Sequence, residues 1–200
     1  LNLVPDKLTL MTALDVLKAI QEAMPEMSNS AVAILCAQSA LETGRWKSMH
    51  CFNFGNIRPP KDWPGDYCQF RCNEQVSPGK WVWYDPPSPG SNFLAFPDAV
   101  TGIRYWLDKL KTRWPEAFQG AVAGQPVPFV HGLKQRGYFT ADEAPYLNGV
   151  LGLTHEFLAL LAEPAPVPEH EPDWDAIKAS TWINNLDADL DGHGASNLNG

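Results

Sequence analysis

One stretch constrains this chain more than any other. Val32, Ile34, Leu35, Cys36, Ala37, Ala40 and Leu41 follow one another with little polar interruption, and the run ends in Glu42-Thr43-Gly44. Ser28-Asn29-Ser30 in front offers N-caps and Gly44 behind offers a stop, so the stretch reads as a helix. A helix that is apolar almost all round has no face to give to water and belongs inside a core. Glu42 is its one carboxylate and stands at the carboxyl end. Burial disfavours the ionised form of a carboxyl group, so Glu42 is expected to keep its proton to a higher pH than an exposed Glu.

Around this helix the chain reads as mainly α, an α+β domain with one small irregular β-lobe. Thr12 followed by Asp15 forms a capping box for a short helix with Leu14, Leu17, Ile20 and Met24 near one face, and Pro25 ends it. From about 53 to 96 the helical period disappears, and Gly, Pro and aromatic residues take over. There Trp81-Val82-Trp83-Tyr84, between Pro78-Gly79 and Pro86-Pro87, predicts at least one hairpin. The period returns at Asp98, with Ala99, Ile103, Trp106, Leu107, Leu110 and Trp114 at three- and four-residue steps. Short helices are expected after Pro115 and Pro126, and a last long one from about Ala141 to Leu161 carries Tyr146, Val150, Leu153, Phe157 and Leu160. Pro164, Pro166, Pro168 and Pro172 among acidic residues then describe a linker. The expected organisation is a domain over 1–163, a linker over 164–172 and an acidic tail over 173–200.

The formal charge of −8 and the scattered basic residues argue against nucleic acid as a partner. No apolar run approaches the ~20 residues needed to cross a bilayer. Leu1-Asn2-Leu3-Val4-Pro5 lacks the charged start and apolar stretch of a signal peptide. Eight Trp and nine Phe are a heavy aromatic load; most should pack in the core, while a remainder suits stacking on the apolar faces of sugar rings. Cys36 lies inside the apolar helix as a buried thiol. Cys51, Cys68 and Cys72 sit close in sequence to His50, which leaves three states open: a disulfide between two of the three, a zinc site of His50, Cys51, Cys68 and Cys72, or free thiols. In the tail, Asp187, Asp189 and Asp191 before Gly192 match the first half of a calcium loop, but position twelve is Leu198 where Glu is needed.

Longer segments carry a resemblance. Ala37-Gln38-Ser39-Ala40-Leu41-Glu42-Thr43-Gly44-Arg45-Trp46, followed by Phe52-Asn53-Phe54-Gly55-Asn56-Ile57-Arg58, resembles the catalytic segment of the glucosaminidase family, the lysozyme-like autolysins and flagellar peptidoglycan hydrolases, to which virion-associated lysins are similar. Gly65-Asp66-Tyr67, Asn73-Glu74-Gln75 and Gly79-Lys80 look like the family's β-lobe. Phe93-Leu94-Ala95-Phe96-Pro97-Asp98-Ala99 is similar to the segment leading into the next helix. The stretch from Phe129 through Leu133, Gly137-Tyr138-Phe139-Thr140 and Asp142 to Tyr146 resembles a later signature. The likeness spans about Thr12 to Leu161.

The resemblance implies a lysozyme-like fold with a glycan cleft, and peptidoglycan glycan strands as substrate. It implies an endo-β-N-acetylglucosaminidase without a cofactor, with Glu42 as the catalytic general acid. A muramidase or a lytic transglycosylase would use the same acid, and a virion or wall-binding structural protein would keep the fold without needing catalysis. Glu74 is the candidate second carboxylate, a base for an attacking water in an inverting reaction; otherwise the substrate's own N-acetyl oxygen would assist. Gln38 and Ser39, four and three residues before Glu42, share its helical face and, with Asn53, Asn56, Tyr138 and Tyr146, are expected to bind or orient the sugar. The expected place of action is the bacterial envelope, the exterior or a phage virion, with the tail as a link to a virion or a larger lysin. Arg45-Trp46, the lobe cysteines and the Trp81–Tyr84 segment depart from the family's usual pattern.

Overall fold

A computed structural model describes residues 2–77 and 79–162, with the side chains of 74–77 excepted. The expected linker, the acidic tail and the calcium candidates Asp187, Asp189 and Asp191 lie outside the described residues. Six helices fall within them: α1 (Ala13–Ala23), α2 (Asn29–Glu42), α3 (Ala99–Arg113), α4 (Pro115–Val122), α5 (Pro126–Gln135) and α6 (Glu143–Leu161). Five strands accompany them: β1 (Asn2–Leu3), β2 (Asp66–Gln69), β3 (Cys72–Ser77), β4 (Lys80–Tyr84) and β5 (Asn92–Leu94).

The expected caps set the helix starts. Thr12 Oγ1 accepts from the Asp15 amide at 3.2 Å while the Thr12 amide donates to the Asp15 carboxylate at 2.9 Å, the reciprocal pair of a capping box. Ser28 Oγ accepts from the Ala31 amide to open α2, and Asp98 accepts from the Thr101 amide to open α3. Every residue from Ala31 to Ala40 is buried, so α2 is the axle of the body. Its main neighbour is α6, with α1 and α4 on other sides. Phe129, Leu133, Val150 and Phe157 reach the same core from α5 and α6, and Ile103, Trp106, Leu107 and Leu110 reach it from α3.

The lobe carries two separate sheets. In one, β2 lies between β1, parallel to it, and β5, antiparallel. The other is the β3–β4 hairpin, with Gly79 at positive φ in its turn and a register irregularity between Gln75 and Ser77. Sequence alone did not disclose β1: two residues with neither alternation nor a turn in front gain strand geometry only by pairing with β2. A close approach joins lobe to body at Gly102, where a Cβ would stand 2.1 Å from the carbonyl oxygen of Phe52, so α3 can lie against the loop after α2 only with glycine there. No described helix is long and apolar enough to cross a membrane.

Candidate active site

α2 stops at Glu42 through a chain of polar ties. Thr43 Oγ1 donates to the Ser39 carbonyl and accepts from the Trp46 amide, and the Arg45 amide bonds the Ala40 carbonyl. Gly44, Arg45 and Trp46 take successive left-handed conformations, which turn the chain sharply out of the helix. Trp46 swings back into the core at 2 % exposure, its indole N–H donating to Ser39 Oγ and its ring 6.0 Å from Phe157. Arg45 pairs with Glu156 on α6. The Arg45-Trp46 departure therefore locks the end of α2 against α6.

Glu42 is thereby presented half-buried. Its Oε1 accepts a hydrogen bond from the Tyr146 hydroxyl at 3.2 Å and a long one, 3.5 Å, from Gln38 Nε2. The same Gln38 amide donates to the Tyr138 hydroxyl at 2.6 Å, so α2, α6 and the segment after α5 meet around one carboxyl group. Desolvation is the dominant influence on Glu42 and raises its pKa above the ordinary Glu value; the hydrogen bonds from Tyr146 and Tyr138 act in the opposite direction and do not cancel it. Burial, with the Glu42 charge beside them, likewise pushes the pKa of both phenols above the normal tyrosine value, so they stay protonated donors. Gln38 Oε1 is sealed without a hydrogen-bond partner among the described residues, the consequence of an amide turned with its NH2 toward the acid and Tyr138.

The other expected site residues divide. Asn56 is exposed in a left-handed conformation and donates from Nδ2 to the Glu42 main-chain carbonyl at 3.2 Å, so it braces the acid from the loop. Ser39 and Asn53 are sealed, at 0 % and 1 % exposure. Ser39 is spent on Trp46, and Asn53 donates to the Ile57 and Leu94 carbonyls while accepting from the Ile57 amide; both build the ground under the site instead of facing a ligand. The backbone of Glu74 lies in β3 opposite Val82.

Beside the acid runs a cleft of about 240 Å³ lined by Gly55, Ile57 and Arg58 from the loop, Tyr105 and Trp114 from α3 and its end, and Tyr138. Glu42 is not in its wall. Tyr138 belongs both to that wall and to the hydrogen-bond group around Glu42, and Trp114 packs edge-on against it at 4.9 Å. Trp114 was legible only as a helix-face residue and Tyr105 was not singled out at all, because their place on the cleft depends on how α3 leans over the loop.

Of the four residues in the zinc alternative, the fold brings Cys51 and Cys68 together among the described residues. The donors that converge, all within 4.8 Å of one another, are Asp6, Cys51 and Cys68. His50 instead gives its Nδ1 to Asp6 at 2.6 Å under a stacked Phe70, and Cys72 packs at the edge of the group. The sequence could not supply Asp6, which arrives because Cys51 and Leu8 bring the amino-terminal segment alongside by backbone pairing.

No protein-family model matches the chain, and no curated protein is detectably similar in sequence. Solved structures do match. The glycoside hydrolase domain of FlgJ from Salmonella typhimurium superposes with a TM-score of 0.52 at 18 % identity, covering 89 % of this chain and 99 % of that one. A peptidoglycan hydrolase mutant from Sphingomonas sp. A1 gives 0.53 at 18 % identity, covering 74 % and 97 %. The catalytic domain of the autolysin Auto from Listeria monocytogenes gives 0.55 at 16 % identity, covering 75 % and 85 %. The chain thus has the mainly α, lysozyme-like fold of these hydrolase domains.

Proposed function

We propose that this protein is a peptidoglycan hydrolase that cleaves the glycan backbone between N-acetylglucosamine and N-acetylmuramic acid, as an endo-β-N-acetylglucosaminidase. The observation that carries the reading is Glu42: a carboxyl group at the end of a fully buried helix, held by two phenols and an amide beside a cleft with aromatic walls. Its fold is that of domains described as glycoside hydrolase, peptidoglycan hydrolase and autolysin, which favours the same polymer.

Glycosidic cleavage needs a proton on the leaving oxygen as the bond breaks through an oxocarbenium-like transition state. Desolvation keeps a proton on Glu42 at pH values where an exposed Glu has lost it. The Tyr146 and Gln38 hydrogen bonds fall on Oε1, so the proton is assigned to Oε2, from which it passes to the glycosidic oxygen. The Tyr146 and Gln38 donors then stabilise the carboxylate left behind, an interaction stronger after transfer than before it. Tyr138, accepting from Gln38, turns its own hydroxyl proton toward the acid and adds to the same stabilisation. Glu74, carried by the hairpin, is assigned as the base that takes a proton from the attacking water. Gln38, Asn56, Tyr138 and Tyr146 position acid and substrate, and Ser39 and Asn53 act through the backbone they hold. The site of action is the bacterial wall, reached from outside the cell or from a virion.

Digestion of purified peptidoglycan followed by mass spectrometry tests this. Fragments ending in reducing N-acetylglucosamine are expected, whereas reducing N-acetylmuramic acid would assign a muramidase and products lighter by one water a transglycosylase. Glu42→Gln should bind wall and release nothing; unchanged release by that variant would overturn the assignment.

A further inference from the structure

The lobe holds a second cluster of reactive side chains that the hydrolase reading does not use. Cys51, in the loop after α2, and Cys68, in the central strand β2, bring their sulfurs within 4.8 Å of each other at 4 % and 0 % exposure. Phe93, Ala95, Val4 and Phe70 enclose them in a small apolar core separate from the main one, and Cys72 packs at its edge. The Cys68 thiol hydrogen-bonds the Cys51 sulfur, which holds the Cys51 pKa down to about 7, near neutral pH.

Two chemistries suit paired sulfurs. A closed structural zinc site needs four protein donors in a tetrahedron. Here three converge among the described residues, and the third, the Asp6 carboxylate, is exposed and bonded to His50. A disulfide needs only the two sulfurs, carries no charge and suits an apolar nest. We infer that Cys51 and Cys68 are the site of a disulfide that staples the loop following α2 to the central strand of the lobe sheet.

The bond forms by thiol–disulfide exchange. The Cys51 thiolate attacks one sulfur of a small-molecule disulfide such as oxidised glutathione and expels one thiolate. Cys68 then attacks the mixed disulfide at Cys51, expels the second thiolate and gives up its proton to it. Two protein thiols become one disulfide, and the oxidant becomes two thiols. Because both sulfurs are sealed in the finished fold, exchange takes place while the lobe is still open, during folding in an oxidising compartment.

The bridge would anchor a loop whose next residues matter. Asn53 and Asn56 follow Cys51 directly, one tying the loop to β5 and the other bracing Glu42. A cross-link closing a loop of this size restricts the unfolded chain.

Peptide mapping of the full-length protein, folded with a mixture of oxidised and reduced glutathione and alkylated after denaturation, decides the matter. Trypsin separates the three lobe cysteines onto peptides 48–61, 62–71 and 72–80. The expected result is peptide 48–61 linked to 62–71, with Cys36 and Cys72 alkylated. Reduction should lower Tm by roughly 5–10 °C. Cys72→Ser should keep that drop, and the Cys51→Ser, Cys68→Ser double variant should lack it. Alkylation of both Cys51 and Cys68, a link through Cys72, or stoichiometric zinc that is lost with Cys51→Ser would each overturn the inference. None of these outcomes depends on glycan hydrolysis, so the staple stands or falls apart from the proposed function.

Discussion

The helical body and the β-lobe reach order by different means. Around α2, order comes from apolar side chains: Ile34, Leu35, Phe129, Leu133 and Phe157 are all fully sealed, and the polar atoms near them serve mainly to end helices. In the lobe, buried area is small and the chain is positioned by specific polar ties. Asn53 spans Ile57 and Leu94, Gln69 meets Asn92 at 2.6 Å, and the Arg58 guanidinium reaches the Gly90 carbonyl. Two of the lobe's tryptophans, Trp81 and Trp83, remain more than half exposed. Glu42 sits where the two regimes meet. The body supplies the desolvation that keeps it protonated, and the loop supplies Asn56, which holds its main chain. An acid of this kind needs both: a rigid apolar wall to exclude water and a polar edge to receive the substrate.

This contrast orders the expected effects of substitution. Phe157→Ala empties part of the body core and should cost about 3–5 kcal/mol in denaturant unfolding. Loss under 1 kcal/mol would mean that the α2–α6 contact is not the main source of rigidity. At the seam, Gly102→Ala drives a Cβ into a backbone oxygen and should cost about 1–3 kcal/mol. Because the strained partner is the Phe52 carbonyl, hydrogen exchange should rise first in the loop from 51 to 58. Tyr146→Phe removes a donor from the carboxylate, and kcat should fall about tenfold with folding nearly unchanged. It should also raise the pKa of Glu42 further, since that hydrogen bond lowers it. Trp83→Ala, on the exposed hairpin, should change stability by no more than about 0.5 kcal/mol.

Glu42→Gln sharpens the comparison from the side of stability. The folded-state pKa of Glu42 lies above its unfolded value because burial penalises the charge. Wild type therefore loses stability as pH rises from the ordinary Glu range near 4.3 through the folded pKa. The variant has no such charge to bury. Its denaturation midpoint relative to wild type should climb across that window and then level off; a flat difference would show that Glu42 is as solvated folded as unfolded.

The two regions were also unequally legible in the sequence. Helices are specified by local signals, so Thr12 with Asp15, Ser28, Asp98, Pro115 and Pro126 marked their starts and the position of Glu42 followed. The lobe is specified by distant partners. The pairing of β1 with β2, the arrival of Asp6 beside Cys51 and the convergence of Cys51 with Cys68 depend on contacts that no local pattern encodes. Ser39 and Asn53 show the same limit within the site. Helical spacing put Ser39 near Glu42 and the resemblance put Asn53 there, but Trp46 folding back onto Ser39 and Asn53 bridging to β5 turned both away from the cleft.

The pH dependence of kcat/KM on purified peptidoglycan tests the central claim most directly. Activity should fall on the alkaline side at a pH above the ordinary Glu range, with that limb displaced upward in Tyr146→Phe and no measurable rate at any pH in Glu42→Gln. A limb at the ordinary Glu value, or a profile that Glu42→Gln leaves intact, would contradict it.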